Sequence, residues 1–230
     1  MRRDLLPIKG FGKSDRQPRR GYFEAKRIFD ITFSLVALVL FLPLFLIIAL
    51  VLRARYPEVS VLVGIEVVGR GGRQFRMWKF STMVKDADLA LSRLLQQDLA
   101  ARQEWESAVK LRKDPRILPG IGTFLRRTSI NELPQLWNAL KGEMSLVGPR
   151  PIRKEEEAFY LKYGGTEMLR RRNSIRPGIT GLWQISGRND VSYEDRVAID
   201  GIYLDKMSFS IDLKILFETA LTILKLRGAY

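Results

Sequence analysis

The stretch ITFSLVALVLFLPLFLIIALVL, Ile31 to Leu52, holds 22 residues without a charge. As one α-helix, at about 1.5 Å per residue, it reaches about 33 Å, enough to cross the hydrocarbon core of a bilayer. Pro43 lies near its middle, where it removes a backbone donor and crowds the preceding turn, so a bend is expected there. Lys26 and Arg27 precede the run, and Arg53 and Arg55 follow it. A spanning helix concentrates such cations on the cytoplasmic side. With both flanks basic, a helix that bends at Pro43 and returns to the same face suits the charges better. An ordinary span with a proline kink stays open as the second reading. A cleaved signal peptide fits poorly, because the run is long and begins late.

Working outward, residues 1–24 form an arm rich in Arg and Lys, suited to anionic headgroups at about 1 kcal/mol per cation; an unstructured leader without a role is the plainer alternative. Residues 25–56 carry the membrane helix, and residues 57–230 read as one domain on the membrane. The chain has 39 Lys and Arg against 25 Asp and Glu, a formal charge of +14, with no cysteine and no histidine. Disulfides, thiolate chemistry and a histidine base are excluded. Chemistry must come from carboxylates, cations, hydroxyls, amides or a metal held through oxygen. So basic a chain calls for an anionic partner. The cations are spread along the whole length and no zinc-finger, basic-zipper or RNA-recognition motif occurs, so membrane lipid is expected and nucleic acid is not.

The expected fold is mainly α with one small β-hairpin, plus amphipathic helices at the interface. Val59–Val68 and Gln74–Phe80 are strand-like, joined by Gly69-Arg70-Gly71-Gly72, whose glycines suit a tight turn. Leu91, Leu95 and Leu99 make one stripe of a helix over Val84–Lys113, which Asp114-Pro115 should end. Residues 117–124 are expected to form a loop near the membrane interface. Helices follow near Asn131–Lys141, Pro151–Tyr163, Tyr193–Tyr203 and Ile211–Leu226, the last amphipathic. Ser174–Gly181 is turn-rich.

The segment RRTSINELPQLWNALKGEMSLVGPRP, Arg126 to Pro151, carries the candidate chemistry. Arg126 and Arg127 stand before a helix start bearing Glu132, and a rigid Pro-Arg-Pro corner holds Arg150. Cations and a helix N-terminus attract phosphate, and a carboxylate there suits a hard metal. Ser129 and Glu132 also have capping-box spacing, which would leave Glu132 satisfying a backbone donor only. Pro134 restricts the helix start, and Asn131 is a second candidate cap.

This segment, with RPGITGLWQISGR after it, resembles the bacterial sugar transferases that initiate surface-polysaccharide assembly, the monotopic phosphoglycosyl transferases of the exopolysaccharide and undecaprenyl-phosphate sugar phosphotransferase type. The likeness runs from about Ala25 to the C-terminus. It implies a re-entrant helix bent at Pro43, with both ends facing the cytoplasm of a bacterial inner membrane. It also implies transfer of a sugar-1-phosphate from a UDP-sugar to undecaprenyl phosphate, with release of UMP and with Mg²⁺ as cofactor. An Asp-Glu dyad serves such enzymes: the Asp attacks phosphorus, and the Glu works with the metal. The matching positions are Asn131 and Glu132. Arg126, Arg150 and Lys79 match phosphate-binding cations, and Arg127 and Arg176 are counted with them. A homo-oligomer is a further candidate partner.

Four departures accompany the likeness. Asn131 replaces the nucleophilic Asp, and an amide offers no anion to attack phosphorus. Ile65 and Val67 stand where relatives carry polar or basic residues, and Ser81 stands where an arginine is usual. A single laboratory exchange at 131 would not explain the other three, which favour natural divergence. The alternative function is therefore a weak or inactive membrane paralogue that binds substrate or an assembly partner.

Overall fold

The computed structural model of the chain describes residues 20–108, 111, 114–186 and 192–224. The expected basic arm, up to residue 19, and the C-terminal end of the resemblance lie outside them. The described residues are mainly helical, with an antiparallel hairpin and a second, parallel pair of strands. They group into two units. One takes the residues up to Leu42, Gly64–Trp78 and those from Pro134 onward; the other takes Pro43–Val63 and Lys79–Leu133.

Helix α1, Arg20–Arg55, runs unbroken through Pro43. Its pattern is inside-out. Tyr22, Lys26, Asp30 and Ser34 recur every fourth residue and so share one face. That face is the protected one: Asp30 and Ser34 are fully buried, while Leu40 is 71% exposed and Val39 65%. The ionisable residues of this apolar helix thus lie against protein, as they do in helices whose other face meets lipid. In the first unit Asp212 receives three donors, from Tyr22 Oη at 2.8 Å, Lys26 Nζ at 2.6 Å and Tyr203 Oη at 2.8 Å. Asp30 Oδ1 accepts the Leu146 amide at 3.0 Å. Arg27 donates to the carbonyls of Ala139 and Leu140, in the last turn of α5, Gln135–Lys141. The Ala139 carbonyl also accepts the Gly142 amide at 3.1 Å, so Arg27 adds to the C-terminal cap of the helix.

Strands β1, Leu62–Val68, and β2, Gln74–Phe80, form the expected hairpin. Its tip turns through Gly71 and Gly72 at φ 71° and 75°, a conformation few other residues accept. Val67 is buried with Met77, Ala139 and Met144, and Ile65 packs against them. Two of the four departures therefore serve an apolar cluster.

The second pair of strands joins a segment given no secondary structure from sequence to one read as turn-rich. β3, Ser145–Val147, runs parallel to β4, Gly178–Thr180, with Ser145 opposite Gly178 and Val147 opposite Thr180. They join the Pro-Arg-Pro corner to the Arg-Pro-Gly-Ile-Thr-Gly segment. Gly178 is required here, since a Cβ on it would stand 2.1 Å from the Gly148 amide nitrogen.

In the second unit Ile48 and Leu52 of α1 bury with Val59, Phe80, Leu118 and Leu125. Of the expected helix over 84–113, residues 109–110 and 112–113 lie outside the described residues, and the part before them is two helices, α2, Ala87–Gln97, and α3, Leu99–Ala108. Extended backbone at Asp98 separates them, and its Oδ1 caps the next turn through the Ala101 amide. The expected loop at 117–124 instead ends in α4, Ile121–Arg127, which starts after Gly120 at φ 70°. In the first unit the helix expected over 151–163 begins later and runs longer: α6, Glu157–Asn173, is interrupted at Gly165. The remaining helices are α7, Leu182–Ile185, α8, Tyr193–Lys206, and α9, Phe209–Leu224.

Candidate active site

The helix expected to start near Asn131 starts four residues later. Ser129 adopts left-handed backbone, φ 58° and ψ 12°, the only non-glycine residue with positive φ among those described. Such backbone costs about 1–3 kcal/mol and recurs at functional sites. It ends the run begun by α4 and opens a 3₁₀ turn, Ile130–Glu132, before Pro134 leads into α5. Ser129 makes no side-chain capping bond, so the capping-box reading fails. Asn131 and Glu132 are half-buried on this turn, not within an α-helix.

Glu132 Oε1 accepts Lys79 Nζ at 2.8 Å, with the two side chains 36% and 22% exposed. Arg126 sits on the same side of the electrostatics: Glu132 favours its charge, and its Nε donates to Thr82 Oγ1 at 2.9 Å. Burial lowers the pKa of Arg126, opposed by Asp114 and Glu132. Asp114 is held below the usual carboxylate range by the Arg116 guanidinium and amide, which outweigh its own burial. Arg116 in turn lies over the Trp105 ring at 4.9 Å. Thr82, Asp114 and Arg116 were not singled out from sequence; only Asp114-Pro115 attracted notice, as a helix stop. Arg127 is exposed. Thus Lys79, Arg126 and Glu132 come together in one unit, with Asn131 adjoining.

Arg150 and Arg176 belong to the other unit. Arg176 Nε donates to the Gly142 carbonyl at 2.7 Å, at the C-terminal end of α5. Burial and the nearby Arg27 and Arg70 lower its pKa. Arg150 lies over the Trp183 indole at 4.6 Å. Its backbone is clamped by residues that sequence reasoning passed over. Arg172, 1% exposed, donates to the Arg150 carbonyl at 2.7 Å and to the Val68 carbonyl at 3.2 Å. Asp200 accepts the Tyr160 hydroxyl at 2.6 Å. Burial pushes the Asp200 carboxyl up to about 6, against the pull of Tyr160, Arg172 and Arg150.

Among the described residues no three acidic side chains gather as a metal site. A single carboxylate still fits Mg²⁺, which keeps one or two protein carboxylates and takes its other oxygens from phosphate and water. Glu132 and Asn131, neighbours on the 3₁₀ turn, carry the side-chain oxygens that would hold it.

The family model for bacterial sugar transferases matches residues 21–226. The chain is 45% identical over 205 residues to a UDP-galactose-lipid carrier transferase of Erwinia amylovora, covering 89% of this chain and 41% of that protein. It is 43% identical over 205 residues to an undecaprenyl-phosphate galactose phosphotransferase of Salmonella typhimurium, again 89% of this chain and 41% of the relative. The chain thus spans about two-fifths of the length of both. The exopolysaccharide production protein ExoY of Rhizobium meliloti is 43% identical over 206 residues, covering 90% of this chain and 88% of its own length. With nearly all of its described residues inside the matched range, the chain belongs to the bacterial sugar transferases.

Proposed function

We propose that this chain transfers a sugar-1-phosphate from a UDP-sugar to undecaprenyl phosphate, at the cytoplasmic face of a bacterial inner membrane, as the first step of surface-polysaccharide assembly. The observation that carries the reading is the Glu132 turn, held by Lys79 and flanked by Arg126. A carboxylate and two cations in one polar cluster suit a reaction in which negative charge shifts between phosphate oxygens. Lys79 and Arg126 neutralise the phosphates with charge-assisted donors. Mg²⁺, when bound at Glu132, supplies Lewis-acid neutralisation of the same oxygens. With Asn131 as it stands, an oxygen of the lipid phosphate attacks the sugar-bearing phosphorus. A new P–O bond forms, the anhydride bond breaks, and its electron pair leaves on UMP.

The inside-out face of α1 supports the membrane reading. The helix has an apolar window of spanning length that is mostly exposed. The basic flanks, Lys26 and Arg27 before the apolar run and Arg53 and Arg55 after it, favour both ends of α1 on one side. α2 is amphipathic and without a fully buried residue, as suits a helix lying at the interface. Cysteines placed at Ser14 and Ser60 test the topology, since the chain has none of its own. An impermeant maleimide should label both in inverted inner-membrane vesicles and neither in spheroplasts. Labelling from opposite sides would establish a span.

The reaction is tested by UMP release from a panel of UDP-sugars, with galactose first because two relatives carry it in their names. Glu132→Gln should lower the release by about a hundredfold or more. The second reading, a paralogue that binds without turnover, is favoured by Asn131 alone. It gains if native protein binds UDP-sugar and releases no UMP.

A further inference from the structure

In the first unit, two arginines share one indole. Arg150 and Arg196 lie over the Trp183 ring at 4.6 and 5.5 Å. Their guanidinium carbons are therefore at most about 10 Å apart. Arg196 also lies over Tyr193 at 5.3 Å. Each arginine has its Nε buried without a hydrogen-bond partner, as does Trp183 Nε1, and Trp183 is only 7% exposed. Among the described residues neither guanidinium forms an ion pair. The stems lie against aromatic rings, and among the described residues the terminal nitrogens make no hydrogen bond.

The nearby acids favour these charges through space, but no ion pair joins them to either guanidinium among the described residues. Both oxygens of Glu156 are committed, Oε1 to the Tyr193 hydroxyl and Oε2 to the Arg153 amide at 2.7 Å. Tyr193 is kept a neutral phenol, since burial and its bond to Glu156 both raise its pKa. Asp200 is enclosed and engaged by Tyr160. Burial first, and then the neighbouring Arg150, lower the pKa of Arg196, against the opposing pull of Tyr193 and Glu156. Keeping such a pair half-desolvated is unfavourable unless an anion joins it.

We propose that Arg196 and Trp183 complete, with Arg150, a two-pronged phosphate subsite for the substrate. Rigid stacking against Trp183 and Tyr193 fixes the forks before the ligand arrives, which lowers the entropy cost of binding. The span between the forks suits a diphosphate receiving one charge-assisted hydrogen bond at each end. A nucleoside diphosphate supplies that group; a polyprenyl phosphate supplies a single phosphate of the same chemistry. The choice of ligand rests on the proposed transferase reading, whereas the anion subsite itself does not.

The test uses full-length protein in nanodiscs, with UDP and farnesyl monophosphate as probes, by calorimetric titration. Arg196→Gln should weaken UDP binding about tenfold to hundredfold, the usual loss for one charge-assisted bond. Arg196→Lys keeps the charge, loses the fork and should fall between native and Gln; it also guards against a Gln variant that fails to fold. Loss confined to UDP assigns the subsite to the nucleotide, and loss confined to farnesyl phosphate assigns it to the lipid. If the folded variants bind both probes as native does, the subsite is wrong, even where native protein releases UMP. Arg196-dependent binding without UMP release by native or Asn131→Asp protein would keep the subsite and end the transferase reading.

Discussion

Asn131→Asp will raise the rate of UMP release from UDP-sugar, in the presence of undecaprenyl phosphate and Mg²⁺, by on the order of 10³-fold or more. Removing a positioned nucleophile costs about 10⁴–10⁶ in other enzymes, so restoring one recovers a large part of that. The exchange is nearly isosteric and falls on a half-buried 3₁₀ turn already fixed by Ser129 and Pro134. Fold should therefore change little. The new carboxylate would enter a unit where Lys79 and Arg126 already offset Glu132, so a second negative charge is tolerable there. A phosphosugar trapped on residue 131 of the variant, absent from native protein, is the accompanying signature. An unchanged rate in a variant with native melting behaviour would mean that the site has lost more than its nucleophile.

The polar half of this site was readable because each residue lay in a long motif, but its geometry was not. Ser-x-x-Glu spacing suggested a capping box, whereas left-handed backbone at Ser129 turns Glu132 toward Lys79, 53 positions earlier in the chain. No local signal announces that choice. The hairpin was legible from β-rich runs around a glycine tip, and β2 has the expected bounds. Strands β3 and β4 were hidden, because three residues are too few to display a period. Their parallel pairing depends on close backbone approach at Gly148 and Gly178, which sequence records only as a turn-rich stretch. Arg196 and Trp183 belong to no shared motif, and only tertiary packing joins them. The polar stripe of α1 was open to view at four-residue spacing, but charge counting at the helix ends drew the reading away from it.

That stripe leads to the largest expected effect on stability. Asp212→Ala should destabilise the protein by about 3–5 kcal/mol, the usual cost of removing one partner from a buried ion pair. Asp212 is 3% exposed and accepts from Lys26, Tyr22 and Tyr203 together. Its removal leaves the Lys26 charge without its partner beside the apolar helix, with two hydroxyls stranded. For a chain of this size the loss corresponds to a fall in melting temperature of roughly 6–20 °C. Lys26→Met added to Asp212→Ala should recover much of it, because the costly species is the lone buried cation and not the absence of the pair. A double variant as unstable as the single would place the cost in the tyrosine hydroxyls instead. A single variant that melts within about 1 °C of native would mean that apolar contacts along α1 hold the helix in place without the ion pair. Surface pairs such as Arg170–Glu167, largely exposed, offer the control, since solvent screens them and their removal should leave the melting temperature nearly unchanged.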